Sequence, residues 1–119
     1  MEKFEVKNYD LPDGSIPVVT FLDSVDKKMK AKLLRAIALL KEKGNELREP
    51  ESKHLSDGIF ELRAIAGSDI SRVLYFFMIG KRAVLTHGFV KKTQKTPPSE
   101  IDRAKKYRDE YLSRKENKQ

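Results

Sequence analysis

A chain of 119 residues fits a single domain with one hydrophobic core, because at this size about two-thirds of the surface of the unfolded chain can be buried. Hydrophobic residues make up 39% and charged residues 36% of the sequence, and no run approaches the roughly 20 apolar residues that cross a bilayer, so no membrane partner is expected. Lys and Arg number 25 against 18 Asp and Glu, a formal charge of +7 that suits a polyanionic partner.

The start, Met1-Glu2-Lys3-Phe4, lacks the basic-then-apolar layout of a secretion signal, which leads to the expectation of a cytoplasmic address. The absence of cysteine excludes disulfides and thiolate metal sites. With two histidines and no clustered carboxylates, neither a metal nor another cofactor is expected.

From the amino terminus, Phe4 to Tyr9 alternates as a strand would, and Pro12-Asp13-Gly14-Ser15 forms a turn. The apolar stretch Ile16 to Leu22 fits either a strand or a helix. From about Val25 to Lys43 the spacing of Met29, Leu33, Ile37 and Leu40 predicts a helix. Asp23 or Ser24 is expected to cap it, Lys41 and Lys43 sit in its last turn, and Gly44 offers a left-handed exit.

The polar segment Glu46 to Ser52, with Pro50, reads as an irregular connector that leads through Lys53 and His54 to an Asp57-Gly58 turn. Three strands are predicted next, Ile59 to Ile65, Ile70 to Met78 and Arg82 to His87. The short links Gly67-Ser68-Asp69 and Gly80-Lys81 imply antiparallel neighbours. A last helix starts near Thr96-Pro97-Pro98-Ser99-Glu100 and aligns Ile101, Ala104, Tyr107 and Tyr111 on one face, which reads as core. Residues 113–119, a charged tail, are expected to fray.

This order describes an α+β single domain in which an N-terminal strand and helices pack on one face of an antiparallel sheet, followed by a C-terminal helix. The other sheet face is expected to stay open. Phe60, Leu62 and Ala64 point to one side of their strand, and Glu61 and Arg63 to the other. Arg72 is out of phase with Val73, Tyr75 and Phe77, so it joins Glu61 and Arg63 on the open face.

The stretch Asp57-Gly58-Ile59-Phe60-Glu61-Leu62-Arg63, then Arg72-Val73-Leu74-Tyr75-Phe76, then Leu85-Thr86-His87-Gly88-Phe89-Val90-Lys91-Lys92-Thr93, ending Thr96-Pro97-Pro98-Ser99-Glu100-Ile101, resembles a known family. It is similar to the phage-derived HigB toxins of type II toxin-antitoxin systems, a branch of the RelE/ParE superfamily. The resemblance covers roughly residues 53–112; the first fifty residues share only the pattern of a strand followed by helices.

It implies a RelE-like fold and a ribosome-dependent, metal-independent endoribonuclease, an mRNA interferase that inhibits translation. The partners it implies are the ribosome, mRNA and a HigA-like helix-turn-helix antitoxin, in a heterotetrameric complex. In RelE-like toxins the segment after the last strand binds phosphate, which implies that role for Lys91 and Lys92. The superfamily also holds ParE-type toxins that inhibit gyrase without nuclease chemistry, so that alternative stands beside the first, as does a basic nucleic-acid-binding module.

Read from the residues themselves, Arg63, Arg72, Lys91, Lys92 and Lys95 would form a shallow cationic cleft. Metal-free RNA cleavage needs a positioned ribose 2′-hydroxyl, a cation for the extra phosphate charge and a proton for the departing 5′-oxygen. Arginine suits the second task, because its planar donors match phosphate oxygens and it keeps its proton. Glu61 is the candidate general base, with a cross-strand ion pair as the alternative reading. Glu61, Arg63, Arg72 and Lys92 are thus the candidate catalytic residues, and Lys53, His54, Lys91 and Lys95 the candidate RNA contacts. His54 fits either an acid-base role or a plain loop histidine, whereas His87, in phase with Ala83 and Leu85, reads as a hydrogen-bonded core residue.

Overall fold

The computed structural model describes residues 3–91 and 95–116, the last two, 115 and 116, by their backbone alone. Lys92, one of the expected catalytic residues, lies outside the described residues. The chain runs β1 (Glu5–Asn8), α1 (Pro17–Ser24), α2 (Lys27–Lys43), a 3₁₀ turn at Gly44–Glu46, β2 (Ser52–Ser56), β3 (Ile59–Ala66), β4 (Asp69–Met78), β5 (Arg82–Lys91) and α3 (Pro98–Glu116). Among these residues no helix is long and apolar enough to cross a membrane.

The apolar stretch left open between strand and helix becomes α1, with a proline at its start where a missing N–H is harmless. Because α1 takes up Asp23 and Ser24, the cap of α2 falls later than expected, on Asp26, whose carboxylate accepts from the Met29 amide at 2.8 Å. Gly44 ends α2 at φ 56° with its amide on the Leu40 carbonyl, and a Cβ there would collide with the Phe4 ring. Only glycine meets both demands. Asp57 and Gly58, at φ 50° and 78°, make the two-residue turn of the β2–β3 hairpin, in which Ser56 pairs with Ile59.

The five strands lie in the order β1-β5-β4-β3-β2. Strands β2 to β5 form the expected antiparallel meander. β1 departs from it by pairing parallel to β5, from Glu5 with Arg82 to Asn8 with Leu85. Alternation in Phe4 to Tyr9 marks a strand but carries no information on its neighbour's direction, and the sheet is therefore mixed.

Both sheet faces are covered, which corrects the expectation of an open one. On one side Val18, Phe21, Met29, Leu33 and Leu40 of α1 and α2 pack on Leu62, Val73, Tyr75 and Leu85. On the other, Ala104 and Tyr111 of α3 pack on Ile59, Leu74, Phe76, Val84 and Tyr9. The sign lay in β4, where Val73-Leu74-Tyr75-Phe76 is continuously apolar and buried throughout, the pattern of a strand covered on both faces.

α3 continues through residues 113–116, where fraying was expected, and residues 117–119 lie outside the described residues. Arg114 donates to the Asp10 carbonyl at 2.6 Å and to Glu110 at 2.5 Å, its guanidinium lies 5.7 Å from the Tyr9 ring centre, and the Tyr9 hydroxyl donates to Glu110 at 2.7 Å. Arg114 thus anchors the helix beside Tyr9 and Asp10, just past the end of β1.

A bulge in β5 decides what faces α3. Leu74 pairs with His87 and Tyr75 with Leu85, which leaves Thr86 as the extra residue. Its hydroxyl donates to the Leu74 carbonyl at 3.1 Å. Side-chain phase reverses there, so His87 turns toward α3 rather than following Ala83 and Leu85. Gly88 correspondingly faces α1, where a Cβ would stand 2.2 Å from the Phe21 ring.

Candidate anion-binding site

β3 and β4 set Arg63 directly opposite Arg72, and like charges in that position repel unless something neutralises them. Glu61, two residues along β3 and therefore on the same face, does so. Its two carboxylate oxygens lie 3.3 Å from Arg63 Nε and 3.4 Å from Arg72 Nε. The Thr96 hydroxyl, in the segment that leads into α3, donates to the same carboxylate.

These groups were expected on an open face; instead Glu61 is 1% and Arg72 0% exposed. The α3 side of the sheet is roofed by that helix and its lead-in, so charges displayed by strand alternation end up inside. Burial lowers the pKa of the Arg72 guanidinium from its ordinary value, against the opposing pull of Glu61. The guanidinium carbon lies 5.9 Å from the Phe89 ring centre, an arrangement that favours the cation. Arg63, with 15% of its side chain exposed, is the arginine through which the cluster meets solvent.

A groove of about 390 Å³ opens above Glu61 and is also lined by Lys53, Leu55, Lys95, Thr96 and Ile101, with His54 at its rim. Lys53 belongs to strand β2 rather than to a loop, and it pairs with Glu61 across the hairpin. His54 pairs with Phe60, and its ring lies 4.9 Å from that ring, which packs with the α1–α2 core. Its Nε2 accepts the Gly58 amide at 3.2 Å, so the imidazole is committed to the hairpin turn. Lys91, exposed at the end of β5, pairs with Ile70, two residues beyond Phe89.

Of the expected site residues, Lys53, His54, Glu61 and Lys95 therefore line one groove, and Arg63 and Arg72 join it through their ion pairs with Glu61. The fold sets the His54 ring against Phe60 and Lys91 at the strand end. Thr96 is the participant that sequence reasoning missed, because it was seen only as the approach to a helix. The Thr-Pro-Pro start, which brings that approach back over the sheet, was the available signal. Among the described residues no group of three or more His, Asp or Glu side chains is placed to hold a metal ion.

His87 forms a separate pair under α3. It is 3% exposed, with Nε2 3.0 Å from Glu100 and Nδ1 3.2 Å from the Thr86 hydroxyl. Burial lowers its pKa, outweighing the opposite pull of Glu100. A histidine whose folded pKa is depressed leaves stability intact above its unfolded value of about 6.5 and removes it as pH falls below that, until the folded value is passed. Thermal midpoints measured from pH 8 downward are thus expected to decline below about pH 6.5, and His87→Gln should flatten that decline. An unchanged profile in the variant would assign the acid sensitivity to other groups.

The α+β domain thus carries, beside its last helix, a groove lined by Lys53 and Lys95 over a buried arginine–carboxylate cluster. The chain belongs to the family described as Phage derived protein Gp49-like (DUF891), which it matches over residues 20–109. That span contains every residue of the groove and leaves out β1 and the end of α3. Comparison with curated proteins finds no match.

Proposed function

We propose that this protein is the toxin of a type II toxin-antitoxin system, of the HigB-like branch of the RelE/ParE superfamily, and that it cleaves mRNA on the ribosome without a metal. The observation that carries the reading is a groove lined by Lys53 and Lys95 together with Glu61, whose carboxylate is ion-paired to Arg63 and to the buried Arg72. In this reading the ribose 2′-oxygen attacks the adjacent phosphorus as the bond to the 5′-oxygen breaks. The 2′-proton leaves to a base, a proton is delivered to the 5′-oxygen, and the products are a 2′,3′-cyclic phosphate and a 5′-hydroxyl.

Arg63 and the groove lysines supply charge to the phosphate. Glu61 and Arg72 act behind Arg63 as positioning residues: a buried carboxylate already engaged by Thr96 and two guanidiniums offers little approach for a ribose hydroxyl. Lys91 and Lys92 remain the proposed phosphate contacts of the segment after β5. The proposed partners are mRNA, the ribosome and a helix-turn-helix antitoxin of the HigA kind, joined with the toxin in a heterotetramer.

A second reading, a ParE-like poison of gyrase without nuclease chemistry, draws on the same burial, since a fully enclosed ion pair also serves the fold alone. Inducing the protein without its antitoxin and mapping new transcript ends separates the two. Growth arrest with cuts inside translated regions, lost when initiation is blocked, is the expected result. Arrest with intact messages and gyrase-dependent DNA damage would overturn it.

A further inference from the structure

Beside the candidate site lies a second groove, of about 340 Å³, between α2 and the edge of β3. Lys32, Arg35 and Arg63 stand around it, Leu39 and Ala64 contribute to its floor, and Glu51 is the carboxylate at its rim. Arg63 thus borders this groove and is paired to Glu61, which lines the first. We infer that the α2-side groove is a further phosphate-binding station, on which a single strand of RNA continues after leaving the candidate site. This rests on the RNA-binding part of the proposed function, though not on cleavage.

Spacing and charge carry the inference. β2 ends its pairing with β3 at Ser52–Leu62, and the Arg63 amide takes the Glu51 carbonyl at 3.0 Å, so the edge of β3 opens just beyond. Along that edge Lys53 stands opposite Glu61, Arg63 follows two residues later, and the Lys32 ammonium reaches the Ile65 carbonyl at 2.6 Å, two residues further. Each step of two residues advances about 6 to 7 Å, close to the separation of successive phosphates in an extended single strand. Lys32 and Arg35 are exposed, and among the described residues neither is ion-paired to a carboxylate. The Lys32 contact is to a neutral carbonyl, so its charge stays available to a polyanion. Because the stations pass from the α3 side round the sheet edge toward α2, a flexible strand can follow them, whereas a stiff duplex would meet only one side.

The test uses the full chain and fluorescently labelled oligouridines of roughly four and roughly twelve nucleotides, a range spanning single-strand site sizes. Wild type is expected to bind the longer probe more tightly. Lys32→Ala with Arg35→Ala should weaken the longer probe roughly tenfold at low salt and leave the shorter one unchanged. The slope of log affinity against log salt should become shallower by about 1.4, since each phosphate on a single strand contributes about 0.7. Lys32→Arg should retain wild-type binding, and equal thermal midpoints would exclude a folding effect.

Unchanged affinity and slope in the double variant would overturn the station, as would failure of the wild type to bind either RNA. Tighter binding of a labelled Glu-rich peptide, abolished by the same substitutions, would overturn it by making the groove a protein-docking surface. Binding that behaves as expected beside transcripts that remain uncut would leave the station standing and remove the nuclease reading alone.

Discussion

Arg72→Ala is expected to lose about 3 to 5 kcal/mol of stability, because truncating one partner of a buried ion pair strands the other. The side chain is 0% exposed and lies 3.4 Å from a carboxylate that is itself 1% exposed. Chemical denaturation should show the loss directly, and the thermal midpoint should fall by about 10 °C or more. Loss of cutting in this variant would then report unfolding as much as chemistry. Arg72→Lys is the informative substitution: it keeps the charge between Glu61 and Phe89 but gives up the planar fork. If Arg72 sets the direction of Arg63 and Glu61, the lysine variant should fold and yet cut on the order of 10²-fold more slowly, the penalty of a misplaced group about 1 Å from its productive position. A folded Arg72→Lys chain with normal cleavage would leave Arg72 as a structural residue only.

Much of this arrangement can be read from residue order, and the places where it cannot share a cause. The α2 periodicity, the Asp57-Gly58 turn and the antiparallel meander are local signals, and each appears close to where its residues place it. Alternation also put Glu61, Arg63 and Arg72 correctly on one face. What alternation does not contain is the roof over that face, since the packing of α3 is a long-range event set by Ile59, Leu74 and Phe76 beneath Ala104 and Tyr111. The same blindness placed His87 in phase with Ala83 and Leu85. One extra residue, Thr86, reverses the phase, and nothing in its identity announces a bulge. His54 was legible only as a polar residue near a turn; that its ring rests on Phe60 follows from hairpin register, which depends on where β2 starts.

The roof changes what Glu61 can do, and its substitution gives the second large effect. Glu61→Gln keeps the shape and an acceptor for the Thr96 hydroxyl but removes the negative charge between two opposed arginines. Repulsion between Arg63 and Arg72 then goes unopposed, and a loss of about 3 kcal/mol is expected. Replacing both Glu61 and Arg72 with leucine tests the origin of that loss, since the double variant leaves no buried charge stranded and Arg63 has a route to solvent. It should lose clearly less than the sum of the two single leucine variants, a coupling that additive, independent roles would not produce. Cleavage separates orientation from proton transfer. A general base contributes roughly 10²- to 10⁴-fold and leaves its own limb on the pH–rate profile. An orienting Glu61 predicts that the glutamine variant, assayed where it remains folded, cuts more slowly with the acid limb of the profile still in place. Disappearance of that limb would return Glu61 to the role of base and require the Thr96 contact to open when RNA arrives.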